Sequence, residues 1–400
     1  MLSDIPSARR LGYYVVGSHI FFNKGEALIQ ASRVGDPVEW HFNDDLFSAI
    51  NWSAPIDTSL TELYKQRAQQ LRDKYDYVSL FYSGGVDSTN ILHAFIDNDI
   101  LLDEIVTWRP RVVEERLNNT DTSSYNLYAE TTIAAMPHLK KYVKDPRTKI
   151  RVIYSDEAIE RFVANSALRS QFTTLYNFTP TSLGIVAMAL TDPVWRELYN
   201  SGKTVGHIQG ADKPMILAEN DGYSFRFVDS ALAFTYEPTY HSDLTEMISK
   251  HQFHELFYWS PDLPQLVVKQ CQIMKKLCES STYFREMFKV SLTVTQDNFS
   301  AMLPYIYPEH VTDIRKVFCT TKGGFGLYSP HNMWFYEKMP SHIVGAMDDI
   351  TRNSQALIDN KFFRTRGYDP LGTDRYLKDP KYFSQPKDTY CSFFSKKYIL

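Results

Sequence analysis

The apolar and polar positions along the chain alternate between short apolar runs and longer stretches with helical spacing. Four runs have the length and the β-branched or aromatic content of buried strands, at 77–82, 104–108, 149–155 and 204–210. Helical spacing follows them at 88–97, 122–143, 156–172 and 181–200. Because strands that alternate with helices in this way form parallel sheets covered on both faces, the pattern predicts an α/β fold.

Residues 1–75, which precede this alternation, have a pattern of their own. Apolar and polar residues alternate in the first part of 11–31, with turn residues at two places, and the last part has helical spacing. This pattern predicts a hairpin followed by a short helix. The stretch from 36 to 57 is predicted to be a loop-rich connector. A helix is predicted to begin after Ser59, because Glu62 three residues further on completes a capping box.

The alternation of strands and helices stops after about residue 240. Long stretches with helical spacing, including 262–289, indicate a mostly helical unit that ends in an irregular tail. We therefore predict three units: a small N-terminal hairpin unit (1–75), a Rossmann-like α/β core with helices on both faces of a parallel sheet (76–239), and the helical C-terminal unit (240–400).

The composition narrows the classes of partner. A net charge of −4 over 400 residues argues against broad electrostatic binding of nucleic acid. Residues 361–400 are the exception, because they carry nine Lys and Arg against four Asp, or +5. This basic, aromatic tail could contact a nucleic acid by charge and stacking, and a solvated, partly ordered tail is the simpler interpretation.

The four cysteines contain no CxxC pair, and Cys271 and Cys278 are predicted to be packed thiols on one helix face. No apolar segment is long enough to span a membrane, and the first residues lack the apolar region of a signal peptide. A cytoplasmic location is therefore expected, with no membrane partner.

The strand predicted at 77–82 runs directly into SGGVDS, residues 83–88, which precedes a stretch of helical spacing. Two adjacent glycines at such a junction let the backbone approach a bound group closely. Ser88 is a natural helix N-cap, and the first amides of a helix, together with its dipole, favour an anion. The segment predicts a phosphate-binding loop; the alternative is a structural turn that binds nothing.

Two other phosphate-binding motifs do not fit this chain. Residues 201–204 (SGKT) match the end of a Walker A loop, but Glu197 stands where that motif requires its first glycine. The glycine spacing of dinucleotide-binding folds is absent. In contrast, GADK at 210–213 follows the fourth predicted strand, and the carboxyl ends of parallel strands share one edge of a sheet. The sheet is therefore expected to bring 210–213 near 83–88.

The segment YSGGVDST resembles the PP-loop of the ATP pyrophosphatases. That superfamily includes asparagine synthetases, β-lactam synthetase, GMP and NAD synthetases and several tRNA-modifying enzymes. Its members cleave ATP between the α- and β-phosphates, adenylate a substrate oxygen and release pyrophosphate. The resemblance covers the predicted core, about residues 76–235. Within it, GHIQGADKP (206–214) is similar to the second motif of the asparagine synthetase-like branch.

The resemblance implies a set of residues for Mg-ATP. The implied ATP-binding residues are Ser83, Gly84, Gly85, Val86, Asp87, Ser88, Val106, Thr107, Gly210 and Asp212. Main chain near Val106 and Thr107 is implied to accept the adenine. Asp87 and Asp212 are implied Mg²⁺ ligands, since two carboxylates with phosphate oxygens suit this hard cation; for Asp212 the alternative is a turn aspartate.

The chain also departs from the family pattern. Lys213 stands where the family commonly has an acidic residue; it could neutralise a phosphate or be a surface lysine. Lys269, in the C-terminal unit, follows the family pattern instead: the resemblance implies that it reaches the α-phosphate, as a lysine does in the β-lactam and asparagine synthetases, and a helix-surface lysine is the simpler interpretation. Since the sequence begins Met-Leu-Ser and 75 residues precede the predicted core, the N-terminal glutaminase domain of glutamine-dependent relatives is not expected here.

One further group suggests a metal site. HQFHE places His251 and His254 three residues apart on a predicted helix, followed by Glu255. No third ligand is evident nearby, so exposed histidines or histidines at the edge of the core are the favoured interpretation.

The predicted function is that of an ATP-dependent, AMP-forming ligase of the asparagine synthetase-like branch, acting on a small molecule. Asp87, Lys213 and Lys269 are its predicted catalytic residues. A substrate oxygen would attack the α-phosphorus and a nitrogen nucleophile would then displace AMP. The alternatives are a PP-loop enzyme that modifies a nucleobase, tRNA or DNA, and an ATP-binding protein without catalysis.

Overall fold

The computed structural model describes residues 11–21, 27, 30–31, 33–109, 111, 130–165, 180–210, 216–219, 222–227, 229, 252–289, 296–312 and 394–400. Its strands are β1 (Tyr13–Val16), β2 (His19–Phe21), β3 (Val38–His41), β4 (Tyr77–Phe81), β5 (Glu104–Arg109), β6 (Lys149–Tyr154), β7 (Val205–Gln209), β8 (Ile216–Glu219), β9 (Gly222–Phe225), β10 (Gln252–Leu256) and β11 (Tyr398–Ile399).

The helices alternate with the core strands as the sequence pattern predicted. They are α1 (Asp44–Ala49), α2 (Leu60–Lys74), α3 (Val86–Ile96), a π-helix (Glu130–Ala135), α4 (Met136–Tyr142), α5 (Ser155–Ala164), α6 (Pro180–Thr191), α7 (Pro193–Asn200), α8 (Gln265–Ser280), α9 (Thr282–Lys289), α10 (Gln296–Ile306) and α11 (Glu309–Thr312). Among the described residues, no helix has the length and apolar character needed to cross a bilayer.

A five-stranded parallel sheet forms the centre of the molecule, with the strand order β10-β7-β4-β5-β6. The chain adds β5 and β6 on one side of β4 and then returns to place β7 on its other side. The order of strands therefore reverses between β4 and β7. Ligands of open α/β sheets bind at such a reversal, outside the carboxyl ends of the strands. The fold thus marks the ends of β4 and β7 as the place to look for a site.

Helices cover both faces of this sheet, as expected for an α/β fold. On one face, Val78 and Leu80 of β4 are buried in the apolar cluster that includes residues of α2, α3 and α8. On the other face, Ser79 shares the carboxylate of Glu104 with Trp195 from α7. Because both faces are covered, all five residues of β4 are buried, which explains its unbroken apolar and aromatic run.

The fifth strand of the sheet corrects a prediction. Residues 252–256 form β10, which pairs in parallel with β7, so the interpretation of 251–255 as a helix carrying a histidine pair is wrong. The sheet takes four strands from the predicted core and one from the segment predicted to be mostly helical. His254 lies beside Gln209 of β7 at 3.3 Å, while His251 is outside the described residues.

Several predicted helix boundaries also move. The helix after the loop begins at Val86 with Gly85 as its N-cap, so Ser88 lies in the first turn and is not the cap. The 181–200 stretch is two helices, because Asp192 caps a new one with its side chain on the amides of Val194 and Trp195. The 262–289 stretch is likewise divided, at Ser281.

The N-terminal hairpin is confirmed, but the segment after it is more ordered than predicted. β1 pairs with β2 and also with β3, and α1 follows, so part of the stretch predicted as a connector is strand and helix. The helix after Ser59 is confirmed: the Ser59 hydroxyl accepts from the Glu62 amide at 3.2 Å.

The last residues of the chain return to the N-terminal unit. β11 pairs with β9, and the ring of Tyr398 stacks on that of Trp52 with centroids 4.9 Å apart. Lys275 donates to the carbonyl of Leu400. The end of the predicted irregular tail is therefore a strand packed on the core; residues 361–393 lie outside the described residues.

Cys271 and Cys278 are buried free thiols, as predicted.

Candidate functional site at the carboxyl edge of the sheet

The loop at residues 83–88 connects β4, at the centre of the sheet, to α3. Gly84 takes φ +73°, a left-handed conformation that glycine adopts without strain. A side chain there would also collide with the π-helix, since a Cβ would lie 2.7 Å from the amide nitrogen of Ala135. Backbone geometry and crowding therefore both require glycine at this position.

The structure brings the end of β7 against the same loop. A Cβ on Gly210 would lie 3.3 Å from the amide nitrogen of Ser88 and 2.8 Å from Ile91. The juxtaposition of residue 210 with residues 83–88, predicted from parallel strand ends, is therefore confirmed. Asp212 and Lys213 lie outside the described residues, so their predicted roles stay predictions.

The hydroxyls of the loop bind its own backbone. The amide of Gly85 donates to the Ser83 hydroxyl at 3.2 Å, and the Ser88 hydroxyl donates to the carbonyl of Gly85 at 3.0 Å. The two hydroxyls are 3.3 Å apart. The helical hydrogen bonds begin with the amide of Thr89 on the carbonyl of Gly85. The first turn of α3 thus opens at this loop, and such a turn has a partial positive charge that suits an anion.

Asp87 lies in that first turn and is 8% exposed. Its carboxylate accepts a hydrogen bond from the hydroxyl of Tyr307 at 2.7 Å, and its carbonyl accepts from the hydroxyl of Tyr258 at 2.8 Å. Asn90, one turn further along α3, donates to the same Tyr258 oxygen. Two tyrosines from distant parts of the chain therefore fix the position of Asp87.

A third tyrosine extends this hydrogen-bonded group. Tyr64 of α2 donates to the carbonyl of Ile306, next to Tyr307, and accepts from Gln270 of α8. Burial raises the pKa of Tyr64, Tyr258 and Tyr307 far above the ordinary value, and the negative charge of Asp87 raises it further. The three hydroxyls therefore keep their protons and act as hydrogen-bond donors.

None of these three tyrosines was predicted from the sequence. A signal for Tyr258 existed, because it comes two residues after FHEL (253–256), and a strand there would have placed it at the same sheet edge as the loop. For Tyr307 the local sequence offers no signal, since 220 residues separate it from Asp87.

Val106 and Thr107 make hydrogen bonds within the sheet and to the neighbouring π-helix. The carbonyl of Val106 accepts from the amide of Tyr82 at 2.7 Å, so this acceptor is part of the strand pairing. The hydroxyl of Thr107 lies 3.1 Å from that of Thr131 in the π-helix. Both residues are near the carboxyl end of β5, one strand from the loop, and their predicted contact with adenine stays a prediction.

Lys269 lies on α8 and its ammonium donates to the carbonyl of Ile56, in the segment before α2. Among the described residues, Ile56 is the hydrogen-bond partner of the Lys269 side chain. The ammonium group of Lys269 is thus directed to the segment before α2 and not to residues 83–88. A role for Lys269 at the α-phosphate would require it to leave this carbonyl.

The residues present fit a phosphate better than they define a metal site. A glycine-lined loop, two hydroxyls and a helix N-terminus are the groups that bind phosphate oxygens. For Mg²⁺, which prefers oxygen ligands, Asp87 is the carboxylate at the loop among the described residues, and the second predicted ligand lies outside them.

No protein-family model matches this chain, and no curated protein matches its sequence.

Proposed function

We propose that this protein binds ATP at residues 83–88 and forms AMP and pyrophosphate, as an amide-forming ligase of the PP-loop, asparagine synthetase-like type. The carrying observation is the position of SGGVDS at the carboxyl end of the central strand, where the strand order reverses. The left-handed Gly84 and the close approach of Gly210 add support, because both keep side chains out of the loop.

In this proposal each described residue has a defined task. The first turn of α3 binds the oxygens of the leaving pyrophosphate, and the hydroxyls of Ser83 and Ser88 exchange their loop hydrogen bonds for phosphate oxygens. Asp87 and, by the motif resemblance, Asp212 would hold Mg²⁺, which supplies positive charge to the triphosphate. Tyr307 is a positioning residue, because its hydroxyl holds the Asp87 carboxylate at the mouth of the loop. Catalysis would rest on orientation and charge stabilisation.

A second candidate function is nucleotide binding without catalysis. It is favoured by the hydrogen bond from Tyr307 to the Asp87 carboxylate and by the internal bonds of the two loop serines. The bond from Tyr307 occupies the carboxylate that would hold Mg²⁺ for turnover, whereas the loop amides can bind a nucleotide phosphate in either case. The two candidates differ in their products and not in their binding site.

Incubation of the full chain with Mg-ATP and candidate acids and amines, followed by separation of nucleotides, tests the proposal. We expect AMP and pyrophosphate in equal amounts. ADP and phosphate as products would overturn the assignment. Saturable ATP binding with no product across amino acid, β-amino acid and nucleobase acceptors would establish the second candidate instead.

A pair of glycine variants locates the binding site. Gly84 and Gly202 both have φ near +75°, but a Cβ at Gly202 meets nothing within 4 Å. Both alanine variants therefore acquire similar backbone strain, about 1–2 kcal/mol, and the Gly84→Ala variant also disturbs the loop. We expect ATP affinity to fall at least about tenfold, or 1.4 kcal/mol, in Gly84→Ala alone. Equal affinities in the two variants would place the nucleotide elsewhere.

A further inference from the structure

The opposite end of helix α3 carries a cluster of two histidines and an aspartate that the proposed function does not use. His93 and Asp97 lie one turn apart there, and His310 from α11 reaches them from a distant part of the chain. The Nδ1 atom of His93 lies 3.1 Å from both Asp97 oxygens, and the Nε2 atom of His310 lies 3.0 Å from Asp97 Oδ2. Three side chains of kinds that bind transition metals, two histidines and an aspartate, therefore meet at one point.

The geometry of this cluster is close to that of a bound ion. The ligand atoms of His93, Asp97 and His310 all lie within 4.8 Å of one another. Ligand atoms bound at about 2.0–2.2 Å to one ion lie up to about 4 Å apart, so small side-chain movements bring all three to a common ion. The His93 side chain is 4% exposed, whereas those of Asp97 and His310 are about half exposed. An ion can therefore enter from solvent, and water can complete its coordination.

The second nitrogen of His93 has the partner that a metal-binding histidine requires. Its Nε2 lies 3.1 Å from the Nε2 of the buried His138, whose ring packs 4.4 Å from that of Tyr142. A ligating imidazole usually donates its other N–H to an acceptor, which fixes the ring and its tautomer. With Nδ1 facing Asp97 and Nε2 facing His138, the ring of His93 is held in this orientation from both sides.

We propose that His93, Asp97 and His310 form a binding site for a divalent transition metal ion, Zn²⁺ in the first instance. Two imidazoles and one carboxylate with water as the remaining ligand are a common Zn²⁺ set. Imidazole suits Zn²⁺, copper, iron and nickel, and Zn²⁺ accepts the four-coordinate arrangement that three side chains and one water would give. In the metal-free protein an N–H of each histidine faces Asp97. Binding of the ion moves each of these protons to the other nitrogen of the ring or to water, and for His93 that other nitrogen is the one beside His138.

The site connects two elements that also meet at the phosphate loop. Tyr307 contacts Asp87 at the start of α3, and His310 contacts Asp97 just past its end, ten residues or about 15 Å further along. Residues 307–310 are thus attached to both ends of one helix. A bound ion would strengthen the contact of His310 with Asp97 and so stabilise the position of Tyr307 on Asp87.

Titration of the chelator-treated full chain with Zn²⁺, followed by calorimetry, tests the site. We expect one Zn²⁺ per chain at micromolar affinity or tighter, and Co²⁺ should give the visible absorption of a site with nitrogen and oxygen ligands. His310→Gln should weaken binding at least about a hundredfold, since even indirect partners of a metal contribute 10–100-fold. His138→Gln, which removes an indirect partner, should cost less than His310→Gln.

His41→Gln is the matched control, because His41 lies 2.7 Å from Asp44 without a second histidine among the described residues. It should bind Zn²⁺ as the wild type does. Zn²⁺ should also slow amide exchange at residues 305–312 in the wild type and not in His310→Gln. Millimolar affinity, or equal Zn²⁺ affinity in wild type and His310→Gln, would overturn the proposal.

Discussion

Two buried carboxylates near the central sheet have partners of different kinds. Glu104, on β5, is fully buried and binds the guanidinium of Arg151, the indole N–H of Trp195 and the hydroxyl of Ser79. Asp87, at the carboxyl edge, is held by the hydroxyl of Tyr307. A guanidinium cancels the charge of a carboxylate, whereas a hydroxyl positions it and leaves the charge in place. In the proposed function this difference assigns Glu104 to the stability of the sheet and Asp87 to the binding of Mg²⁺.

The largest expected effect is on stability, at the first carboxylate. Glu104→Gln removes the charge that faces Arg151, and breaking a buried ion pair costs about 3–5 kcal/mol. Arg151 keeps its two hydrogen bonds to Asp192, so we expect the lower end of this range. Urea unfolding monitored by circular dichroism measures the change.

The exposed pair of Asp145 and Arg147 is the control for this experiment. Its side chains remain in contact with water, which screens the interaction, so Asp145→Asn should leave the unfolding midpoint nearly unchanged. Equal shifts in Glu104→Gln and Asp145→Asn would show that burial of the pair is not what stabilises the sheet.

The second effect is on turnover, at the other carboxylate. Asp87→Asn keeps the shape of the side chain and removes its charge, so pyrophosphate release should fall at least about a hundredfold, or 2.7 kcal/mol in activation free energy. Unfolding should change far less than in Glu104→Gln. Asp99→Asn, at an exposed position past the other end of α3 where φ is +55°, removes the same charge and should release pyrophosphate normally. Normal release in Asp87→Asn would remove this residue from the site.

The third effect is a pH dependence of the free energy of unfolding, and it is expected at the buried group around Glu104. His207, on the same sheet face as Glu104, is fully buried beside Trp195, and its Nε2 is 2.8 Å from the hydroxyl of Tyr199. Burial lowers the pKa of His207 well below 6.5, and nearby His254 and Arg151 lower it further. Above pH 6.5 the folded and unfolded chains are both neutral at this residue. Below it only the unfolded chain takes the proton, so the free energy of unfolding falls as the pH decreases.

The expected slope is about 1.4 kcal/mol per pH unit below pH 6.5 from this one residue. In His207→Gln the slope between pH 6.5 and 5 should be smaller by that amount, even if the variant is less stable at pH 8. Urea unfolding at several pH values measures it. An unchanged slope would show that His207 takes up a proton in the folded protein.

The smallest effect is expected at the tyrosine that holds Asp87. Tyr307→Phe removes one hydroxyl and keeps the ring, so the free energy of unfolding should fall by about 1 kcal/mol. Turnover should fall several-fold, with a higher Mg²⁺ concentration needed for half-maximal rate. Tyr305→Phe is the control, since Tyr305 is 52% exposed on the same segment. Higher turnover in Tyr307→Phe would mean that the hydroxyl blocks the carboxylate and does not position it.

Local sequence signals predicted the core of the sheet well. The strand at 77–81, the helix cap at Ser59 and the glycine loop at 83–88 are all found where short-range rules placed them. Each depends on residues within a few positions: a buried apolar run, a hydroxyl three residues before an acid, or a glycine that takes a left-handed φ. The beginning of α3 was missed by two residues, because Gly85 caps the helix without a side chain.

The errors have a common cause in contacts between distant residues. QFHEL at 252–256 is a strand because β7 is available to pair with it, and five residues with a histidine and a glutamate do not distinguish edge strand from helix. The position of Tyr307 on Asp87 depends on the packing of α10 and α11 and has no signature in the segment itself.

The sequence by itself determined an α/β core with a glycine-rich loop between its first core strand and the next helix, because these features follow from periodicity and backbone conformation. Only the tertiary structure decided which side chains surround that loop and which meet at the other end of α3. Tyr307 and His310 reach Asp87 and Asp97 across more than two hundred residues. Such contacts depend on how whole helices pack, and the free energy of packing is a property of the complete fold and not of any local segment.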